Sequence, residues 1–399
     1  MLKARSQRRV LVTTCDLPWP ANTGKRMRSR LLCEVAAEFG AVDVLALTEI
    51  DPAHPSGAVP AEWGTVDVTV MPPQVRSMAT GVVRVATHWW PGVIAIRDWS
   101  AELAFLQAHA GQYDLVIFGS LVHAEALGEG STDHVVVDMD DIESAKITAN
   151  LAVRGQQPMP AHRLWQLRVD RRLWRRLERR FVTSAATALV ASELDRRRLA
   201  KTKSYVVPNY YPDVHPIEPL PREASIALVG NFAYPPNRDA AQVAVSEVLP
   251  LVRREVPDAR LRIVGRAAQT LPDQLLTAVG VDLVGEVDSI ATELSHCAVS
   301  LVPVRYGGGT RIKIIESFAL GVPVVSTSVG CEGLAAAPGI DLLVADDPAG
   351  LAQECCHVLA DHQLASKLAA SGRELFEREF SYAHAKASLR VALDQAIGG

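Results

Sequence analysis

Three consecutive glycines followed by two cations form the most chemically distinctive segment of the sequence, YGGGTRIKIIES at residues 306–317. Without side chains, Gly307–Gly309 allow backbone N–H groups to approach a ligand closely. A helix predicted to start near Thr310 directs the positive end of its dipole to the same place, which favours anions. Arg311 and Lys313 add cations where a stabilising helix start would prefer acidic residues. This departure from helix stability indicates an anion site, and the simplest ligand is a diphosphate.

A carboxylate lies in the second turn of the same predicted helix. Glu316 is placed between the apolar residues Ile315 and Phe318. A partly buried carboxylate needs hydrogen-bond donors, and the two hydroxyls of a ribose would supply them. The segment therefore predicts a nucleoside diphosphate site, and the alternative is an ordinary strand–helix turn with a surface glutamate.

Acidic residues cluster where a buried strand of the first half ends, in VVVDMDDIES at residues 135–144. Asp138 and Asp140 have the Asp-x-Asp spacing of carboxylates that bind a divalent cation on a diphosphate. The same segment also resembles the nucleophile strand of a phosphatase, or simply caps the next helix. Asp140 and Asp141 are the candidates for chemistry here. His123, in GSLVHAEAL after another strand end, is either a further candidate or a structural histidine.

A basic loop and helix start follow the first predicted strand, in LPWPANTGKRMRSRLL at residues 17–32. Gly24 provides a turn that can approach a ligand. Arg26 and Arg30 are four residues apart, so they share one helix face. This spacing is compatible with an anion contact and equally with an ordinary solvated basic face.

A second basic segment is the predicted helix at residues 162–180, HRLWQLRVDRRLWRRLERR. Its leucines and aromatic residues recur at helical spacing, so the helix is amphipathic. A basic amphipathic helix can lie on an anionic membrane, to which Trp89, Trp90 and Trp99 would add anchors. The alternative is a domain helix whose arginine stems cover apolar surface.

Short β-branched runs alternate with longer helical patterns along the whole chain. The runs Val10–Thr13, Ile226–Val229 and Val299–Val302 are examples, and their consecutive apolar residues are typical of parallel strands buried on both faces. This alternation predicts doubly wound α/β architecture. The proline-rich segment 208–221 is the best linker candidate. We therefore expect two Rossmann-like domains facing each other across a cleft, with ligands at the carboxyl ends of their parallel strands.

Composition excludes several classes of protein. The 399 residues are 48% hydrophobic and 22% charged, which is typical of globular proteins and not of disordered ones. The net charge of −4 and the lack of a nucleic-acid-binding motif argue against a nucleic-acid partner. No apolar run has the length of a membrane span or of a signal-peptide core. The six cysteines lack zinc-ligand spacing and are predicted to be free thiols in the cytoplasm.

Several segments, in order, resemble the retaining family-4 glycosyltransferases of GT-B fold, which use nucleotide-sugar donors. The matching segments are ALVASE (188–193), VVPN (206–209), LVGNFAYPPN (228–237), LRIVGR (261–266), VDLVGEVDS (281–289) and GGGTRIKIIESFALGVPVVSTSVGCEGL (307–334). The resemblance implies an acceptor domain at 1–207, a donor domain at 222–380, and a C-terminal helix at 381–399 that packs back on the first domain.

The resemblance also implies roles for single residues. Glu316 would bind the ribose, Gly230 and Asn231 would lie near the phosphates, and Arg266 and Val287 would lie near the base.

Two positions depart from the family pattern. The family often has a glutamate eight residues before Glu316, where this chain has Gly308. In the family, the loop that here contains Asp140 and Asp141 often has a histidine near the donor sugar, and this chain has an acidic residue instead.

The resemblance also implies that the loop at residues 17–32, with Gly24, faces the donor diphosphate and the acceptor.

The sequence therefore predicts a metal-independent glycosyltransferase without a cofactor, acting on a nucleoside diphosphate sugar and an unidentified acceptor. It is expected to be cytoplasmic, with peripheral contact to the inner face of the membrane through residues 162–180. A nucleotide-sugar epimerase or hydrolase of the same fold is one alternative. A non-catalytic nucleotide-sugar-binding subunit is the other.

Overall fold

A computed structural model of the chain describes residues 8–21, 23–48, 66–71, 74–75, 85, 89–109, 111–128, 132, 134–154, 160–215 and 224–398. The chain divides into two compact units. Unit 1 comprises Met1–Asn209 and Ala385–Gly399, and unit 2 comprises Tyr210–His384. The division falls within the predicted linker, of which residues 216–221 lie outside the described residues.

Unit 1 is built on a parallel seven-stranded sheet with the order β3-β2-β1-β6-β7-β8-β9. Its strands are β1 (Arg9–Thr14), β2 (Ala41–Ala46), β3 (Val66–Val70), β6 (Leu115–Phe118), β7 (Val135–Met139), β8 (Thr187–Val190) and β9 (Ser204–Val206). An antiparallel pair, β4 (Gln74–Val75) and β5 (Arg97–Asp98), stands apart from it. The helices are α1 (Gly24–Ala36), α2 (Gly92–Ala95), α3 (Ser100–Ala108), α4 (Leu121–Leu127), α5 (Glu143–Arg154), α6 (Ala161–Val182), α7 (Glu193–Leu199) and, after unit 2, α15 (Tyr382–Gly398).

Unit 2 has a parallel six-stranded sheet with the order β12-β11-β10-β13-β14-β15. Its strands are β10 (Ser225–Val229), β11 (Arg260–Val264), β12 (Val281–Gly285), β13 (Val299–Val302), β14 (Val324–Ser326) and β15 (Leu343–Val344). Its α-helices are α8 (Pro235–Val243), α9 (Leu249–Glu255), α10 (Asp273–Leu276), α11 (Ile290–Ser295), α12 (Ile312–Ala319), α13 (Pro348–Ala360) and α14 (His362–Leu375).

Both sheets confirm the predicted α/β class and its pair of Rossmann-like domains. Strands such as β6 and β13 are buried along their whole length, because helices cover both faces of each sheet. Strand order reverses direction between β1 and β6 in unit 1 and between β10 and β13 in unit 2. In sheets of this type the carboxyl ends at such a reversal form the usual ligand site.

Two helix predictions differ from the structure. The pattern 240–256 predicts one helix, but the five-residue π-helical stretch Ala244–Val248 joins α8 to α9. It lies just before Pro250, which has no N–H to continue the α-helical ladder. The helix predicted near Thr310 begins at Ile312, with Arg311 as its N-cap residue.

The role assigned to Trp99 as a membrane anchor is wrong. Its side chain is 2% exposed, and its indole N–H donates to the carbonyl oxygen of Ile94 at 3.1 Å. Trp90 donates to Glu125 at 2.6 Å, whereas Trp89 is 55% exposed. Helical periodicity does not extend to these loop residues, so the sequence could not show which of them face the core.

All six cysteines lie in the described part of the chain, and none forms a disulfide. Cys355 and Cys356 are buried in α13. Within the described ranges, no helix combines the length and hydropathy needed to cross a bilayer.

A buried ion pair joins α1 to the end of β7. The Arg28 guanidinium donates to both carboxylate oxygens of Asp138, at 2.7 and 2.6 Å, and to the carbonyl oxygen of Val207 at 2.9 Å. Burial lowers the pKa of Arg28, but the adjacent Asp138 carboxylate outweighs this and raises the pKa above its usual range. Both carboxylate oxygens are thus engaged by one cation, which argues against Asp138 as a ligand of a divalent metal.

Loss of this pair should destabilise the protein strongly. Asp138→Ala would leave the Arg28 guanidinium buried without its counter-charge, at an expected cost of about 3–5 kcal/mol in the free energy of unfolding. Glu193→Ala is the matched control, because Arg196 and Glu193 form the same two-bond geometry on the surface. The control should cost about 1 kcal/mol or less, measured by urea denaturation. Similar losses in both variants, or stabilisation of the wild type by Mg²⁺ that Asp138→Ala abolishes, would contradict this account.

Candidate functional site

The glycine-rich segment of unit 2 follows β13 at the reversal of strand order. Gly307 and Gly309 have φ angles of +125° and +74°, which residues with side chains rarely adopt. A Cβ on Gly307 would lie 3.2 Å from Arg311 Nη2 and 3.3 Å from the Tyr234 hydroxyl. The three glycines therefore form a closely packed turn into α12, next to the segment that follows β10.

Arg311 and Lys313 have different surroundings, although the same role was predicted for both. Arg311 donates to the carbonyl oxygens of Gly308 and Gly309, the latter at 3.0 Å, so its guanidinium lies on the glycine turn. Lys313 Nζ donates to Asn237 Oδ1 at 2.9 Å, beside the β10–α8 turn. Burial, with a smaller effect of Arg311, lowers the pKa of Lys313 to about 7.

The β10–α8 turn contains two of the residues predicted to lie near phosphates. Gly230 N–H donates to the carbonyl oxygen of Val264 at 3.0 Å. Gly265 has a φ of +128°, and any Cβ there would collide with the carbonyl oxygen of Gly230. Asn231 accepts the N–H of Ala233 at 3.0 Å. The ends of β10 and β11 thus meet backbone to backbone, which explains the glycine at position 265, whereas a Cβ on Gly230 would meet the side chains of Asn237 and Lys313.

The two residues predicted to lie near a base are farther along the same edge of the sheet. Arg266 is exposed, and its carbonyl oxygen accepts the N–H of Phe232 at 2.9 Å. Val287 follows β12 and packs, partly buried, against the apolar cluster that contains Leu294.

Glu316 is withdrawn from water on α12, with 7% of its surface exposed. Burial raises the pKa of Glu316 to about 7, while the Tyr211 hydroxyl, which donates to the carboxylate, and the Lys313 charge act in the opposite direction. Tyr211 was missed in the sequence, because it lies in the proline-rich segment and nothing in its neighbours indicates a carboxylate partner 105 residues away.

The candidates of unit 1 are dispersed among local contacts. Gly24 is the first residue of α1, where the Thr23 hydroxyl accepts the N–H of Arg26 at 3.3 Å. The Arg26 guanidinium pairs with Asp16 at 3.1 Å, and that of Arg30 with Glu34 at 2.7 Å. This helix start is thus capped by a side chain, and Arg26 and Arg30 each have a nearby acidic partner.

The two acids predicted for chemistry in unit 1 also have partners. Asp140 Oδ1 accepts from Asn209 Nδ2 at 2.7 Å, and Asp141 Oδ2 lies 3.0 Å from Lys146 Nζ. Asn209 also accepts from Arg28 at 3.2 Å, so Asp140 extends the buried network of Arg28. Among the described residues, no three acidic, histidine or cysteine side chains are grouped so as to hold a metal ion.

His123 fits a structural role. It is buried, and its Nδ1 lies 2.8 Å from the Thr13 hydroxyl, which accepts the N–H of Gly119 at 3.1 Å. Burial, together with a smaller effect of Arg97, lowers the pKa of His123 to about 3. The imidazole is therefore neutral at physiological pH and packs edge-on against Trp99 at 6.3 Å between ring centroids.

Unit 2 therefore brings several of the predicted site residues together at the carboxyl ends of its parallel strands. Two glycine turns, an ammonium group and a helix start converge there, with a buried carboxylate one turn farther along α12. The cation and the backbone N–H groups can bind a diphosphate, and the carboxylate can accept hydrogen bonds from hydroxyl groups.

Comparisons with known proteins bear on the same unit. Residues 223–361 match the family model described as glycosyl transferases group 1. An uncharacterized 44.6 kDa protein in the cps region of Klebsiella pneumoniae is 25% identical over 158 residues. That match covers 37% of this chain and 41% of the Klebsiella protein, so it spans less than half of either.

Similarity in fold extends over almost the whole chain. Sucrose-phosphate synthase from Thermosynechococcus elongatus is 17% identical with a TM-score of 0.71, and the match covers 98% of this chain and 100% of that one. WaaG, a glycosyltransferase involved in lipopolysaccharide biosynthesis, is 16% identical with a TM-score of 0.64 over 98% and 100% of the two chains. Anabaena HepE, solved with UDP and glucose, is 14% identical with a TM-score of 0.61 over 97% and 99%. Residues 223–361 of unit 2 thus resemble the glycosyl transferases of group 1, and the chain as a whole shares the two-domain GT-B fold of these solved structures.

Proposed function

We propose that this protein transfers a sugar from a nucleoside diphosphate sugar to an acceptor, with retention of anomeric configuration and without a metal ion. The observation that carries the proposal is the position of Lys313 beside Gly230 in the unit that matches the family. Anabaena HepE has been solved with UDP and with UDP-glucose, which supports a nucleotide sugar as the donor here.

Transfer breaks the bond between the anomeric carbon of the sugar and the diphosphate oxygen, and negative charge develops on that oxygen. Groups that stabilise this charge in a site that excludes water contribute the largest share of catalysis in reactions of this kind. Lys313 and the N-terminus of α12 supply that positive charge in our proposal, while Arg311 holds the glycine turn in place. Glu316 accepts hydrogen bonds from the ribose and so fixes the nucleotide relative to Lys313.

In unit 1, Asp140 and Asp141 are the proposed polar contacts for the acceptor or the reacting sugar. Their oxygens lie just beyond the carboxyl end of β7, next to the strand reversal between β1 and β6. Gly24 begins the helix that follows β1 at the same end of the sheet. The acceptor in this reaction is an alcohol.

A screen with nucleoside diphosphates tests the proposal most simply. We expect UDP, GDP, TDP or ADP to raise the melting temperature of the protein, and the sugar esters of the preferred nucleotide to serve as donors. Turnover should require an acceptor, should be unchanged in EDTA, and should give a product with the donor's anomeric configuration by NMR. Rapid consumption of donor alone would instead favour an epimerase or hydrolase. Loss of turnover in EDTA would overturn metal independence.

Donor affinity should depend on pH in both directions. Because the folded pKa values of Lys313 and Glu316 are each about 7, deprotonation of the lysine above pH 7 and protonation of the glutamate below it should both weaken binding. A nucleotide sugar is the right probe, since its esterified phosphates do not titrate in this range. Glu316→Gln should weaken binding about 10- to 100-fold and abolish the acidic limb of the calorimetric profile. Unchanged affinity in Glu316→Gln would refute the ribose contact.

Peripheral membrane contact through α6 is a separate proposal. The inner face of this helix is buried through Leu173, Trp174, Leu177 and Phe181, whereas Trp165 is 65% exposed. The Arg176 guanidinium lies 5.2 Å from the centre of the Trp89 ring, which is also exposed. Cations flanked by exposed tryptophans suit an anionic membrane surface.

Vesicle sedimentation tests this membrane contact. The protein should bind vesicles that contain phosphatidylglycerol and not those of phosphatidylcholine alone. Trp165→Ala should reduce the bound fraction, and the exposed Val391→Ala on α15 serves as the control. Equal binding to both vesicle types would contradict the contact.

A further inference from the structure

The ammonium group of Lys313 occupies space that a side chain at position 230 would take. A Cβ built on Gly230 would lie 3.1 Å from Lys313 Nζ and 3.0 Å from Asn237 Cγ and Nδ2. The amine of a residue that follows β13 therefore lies against the turn that follows β10. This location depends on a long, flexible lysine side chain, which needs a partner to hold it in one conformation.

Asn237 is that partner, and its own orientation is fixed. Its Nδ2 donates to the carbonyl oxygen of Asn231 at 2.8 Å, which directs Oδ1 toward Lys313 Nζ at 2.9 Å. An aspartate at position 237 would lose the hydrogen bond to Asn231, and a leucine there would lose the hydrogen bonds to both Asn231 and Lys313. The amide thus links the β10–α8 turn to the cation of α12 through its two ends.

The helix that carries Asn237 is itself held at the β13 end. Asp239 lies two residues farther along α8 and accepts two hydrogen bonds from Arg305, at 2.9 and 2.6 Å. Pro235, the first residue of α8, adds a backbone already restricted to helical φ. The first turn of α8 is therefore rigidly placed between β10 and the segment after β13.

The charged groups that act on Lys313 are both on its own segment. Arg311 disfavours the ammonium form and Glu316 favours it, while Tyr211 donates its hydroxyl to Glu316. α8 and the β10–α8 turn contribute neutral groups to this contact, namely the side chain of Asn237 and the backbone of Gly230. The hydrogen bond to Asn237 uses one of three ammonium protons, so two are available to an anion.

We propose that Asn237 is a positioning residue that holds the Lys313 ammonium at the β10–α8 turn, where the diphosphate of the donor meets it. This inference rests on the proposed function of the same site. It goes beyond that function because it makes a neutral amide on a different helix responsible for the position of the Lys313 ammonium. Asn237 acts through Lys313, so its contribution should vanish when the lysine is replaced.

A double-mutant cycle tests this dependence directly. Calorimetry would measure the binding of the tightest of UDP, GDP, TDP and ADP to the wild type, Asn237→Ala, Lys313→Met and the double variant. We expect Asn237→Ala to weaken binding about tenfold in the wild type and to have almost no effect in Lys313→Met. Gln242→Ala is the matched control, because its amide lies exposed on the same helix and donates to the Ser246 hydroxyl, away from Lys313. This variant should bind like the wild type.

The pH profile provides a readout that a purely structural role would not move. With a nucleotide sugar as probe, Asn237→Ala should shift the alkaline midpoint of binding to lower pH, because the ammonium loses its acceptor. Asn237→Asp retains an acceptor oxygen and adds negative charge, so it should shift that midpoint to higher pH. The two opposite shifts also keep the test valid if Asn237→Ala folds poorly.

The outcomes separate the two proposals. If the wild type binds none of the four nucleotides, the proposed function fails. If the wild type instead binds a nucleotide and Asn237→Ala weakens that binding equally with and without Lys313, only the positioning role of Asn237 fails. The same conclusion follows if the wild type binds and neither Asn237→Ala nor Asn237→Asp shifts the alkaline midpoint.

Discussion

On α12, Lys313 is partly buried and Glu316, three residues later, is buried, and the site of unit 2 depends on the groups that stabilise these two charges. Burial shifts each group toward its neutral form, so the pKa values of Lys313 and Glu316 approach one another near neutrality. Tyr211 and Asn237 each supply a hydrogen bond that favours the charged form. An anion at Lys313 and hydroxyl donors at Glu316 would further stabilise the two charged forms against the cost of burial. This is a physical reason to expect a nucleoside diphosphate.

The two cations of the glycine-rich segment make different contacts. Arg311 bonds to carbonyl oxygens of the turn itself, whereas Lys313 reaches across to the β10–α8 turn. A guanidinium with several fixed donors suits the first task, and a single ammonium on a flexible stem suits the second. The net charge is +4 for residues 1–210 and −8 for residues 211–399. These net charges do not predict a cationic contact in the second half. At short range one positioned cation and a helix start outweigh the net charge of the acidic half.

The sequence was sufficient to predict the α/β architecture and the glycine turn at residues 307–309. Valine-rich runs such as Val299–Val302 are recognisable because both faces of a parallel strand are buried. The glycines at 307 and 309 are recognisable because few other residues adopt their backbone angles. Partners distant in sequence could not be predicted in this way. Periodicity shows that a residue is buried but not which residue it meets, and so Arg28 with Asp138, Asn237 with Lys313, and Tyr211 with Glu316 were all missed.

A crystal structure of the protein with its preferred nucleotide sugar would show where the diphosphate and the ribose bind. We expect a phosphate oxygen within about 3 Å of Lys313 Nζ, next to Gly230, and ribose hydroxyls that donate to Glu316. A nucleotide bound with its diphosphate away from Lys313 and the β10–α8 turn would contradict this expectation.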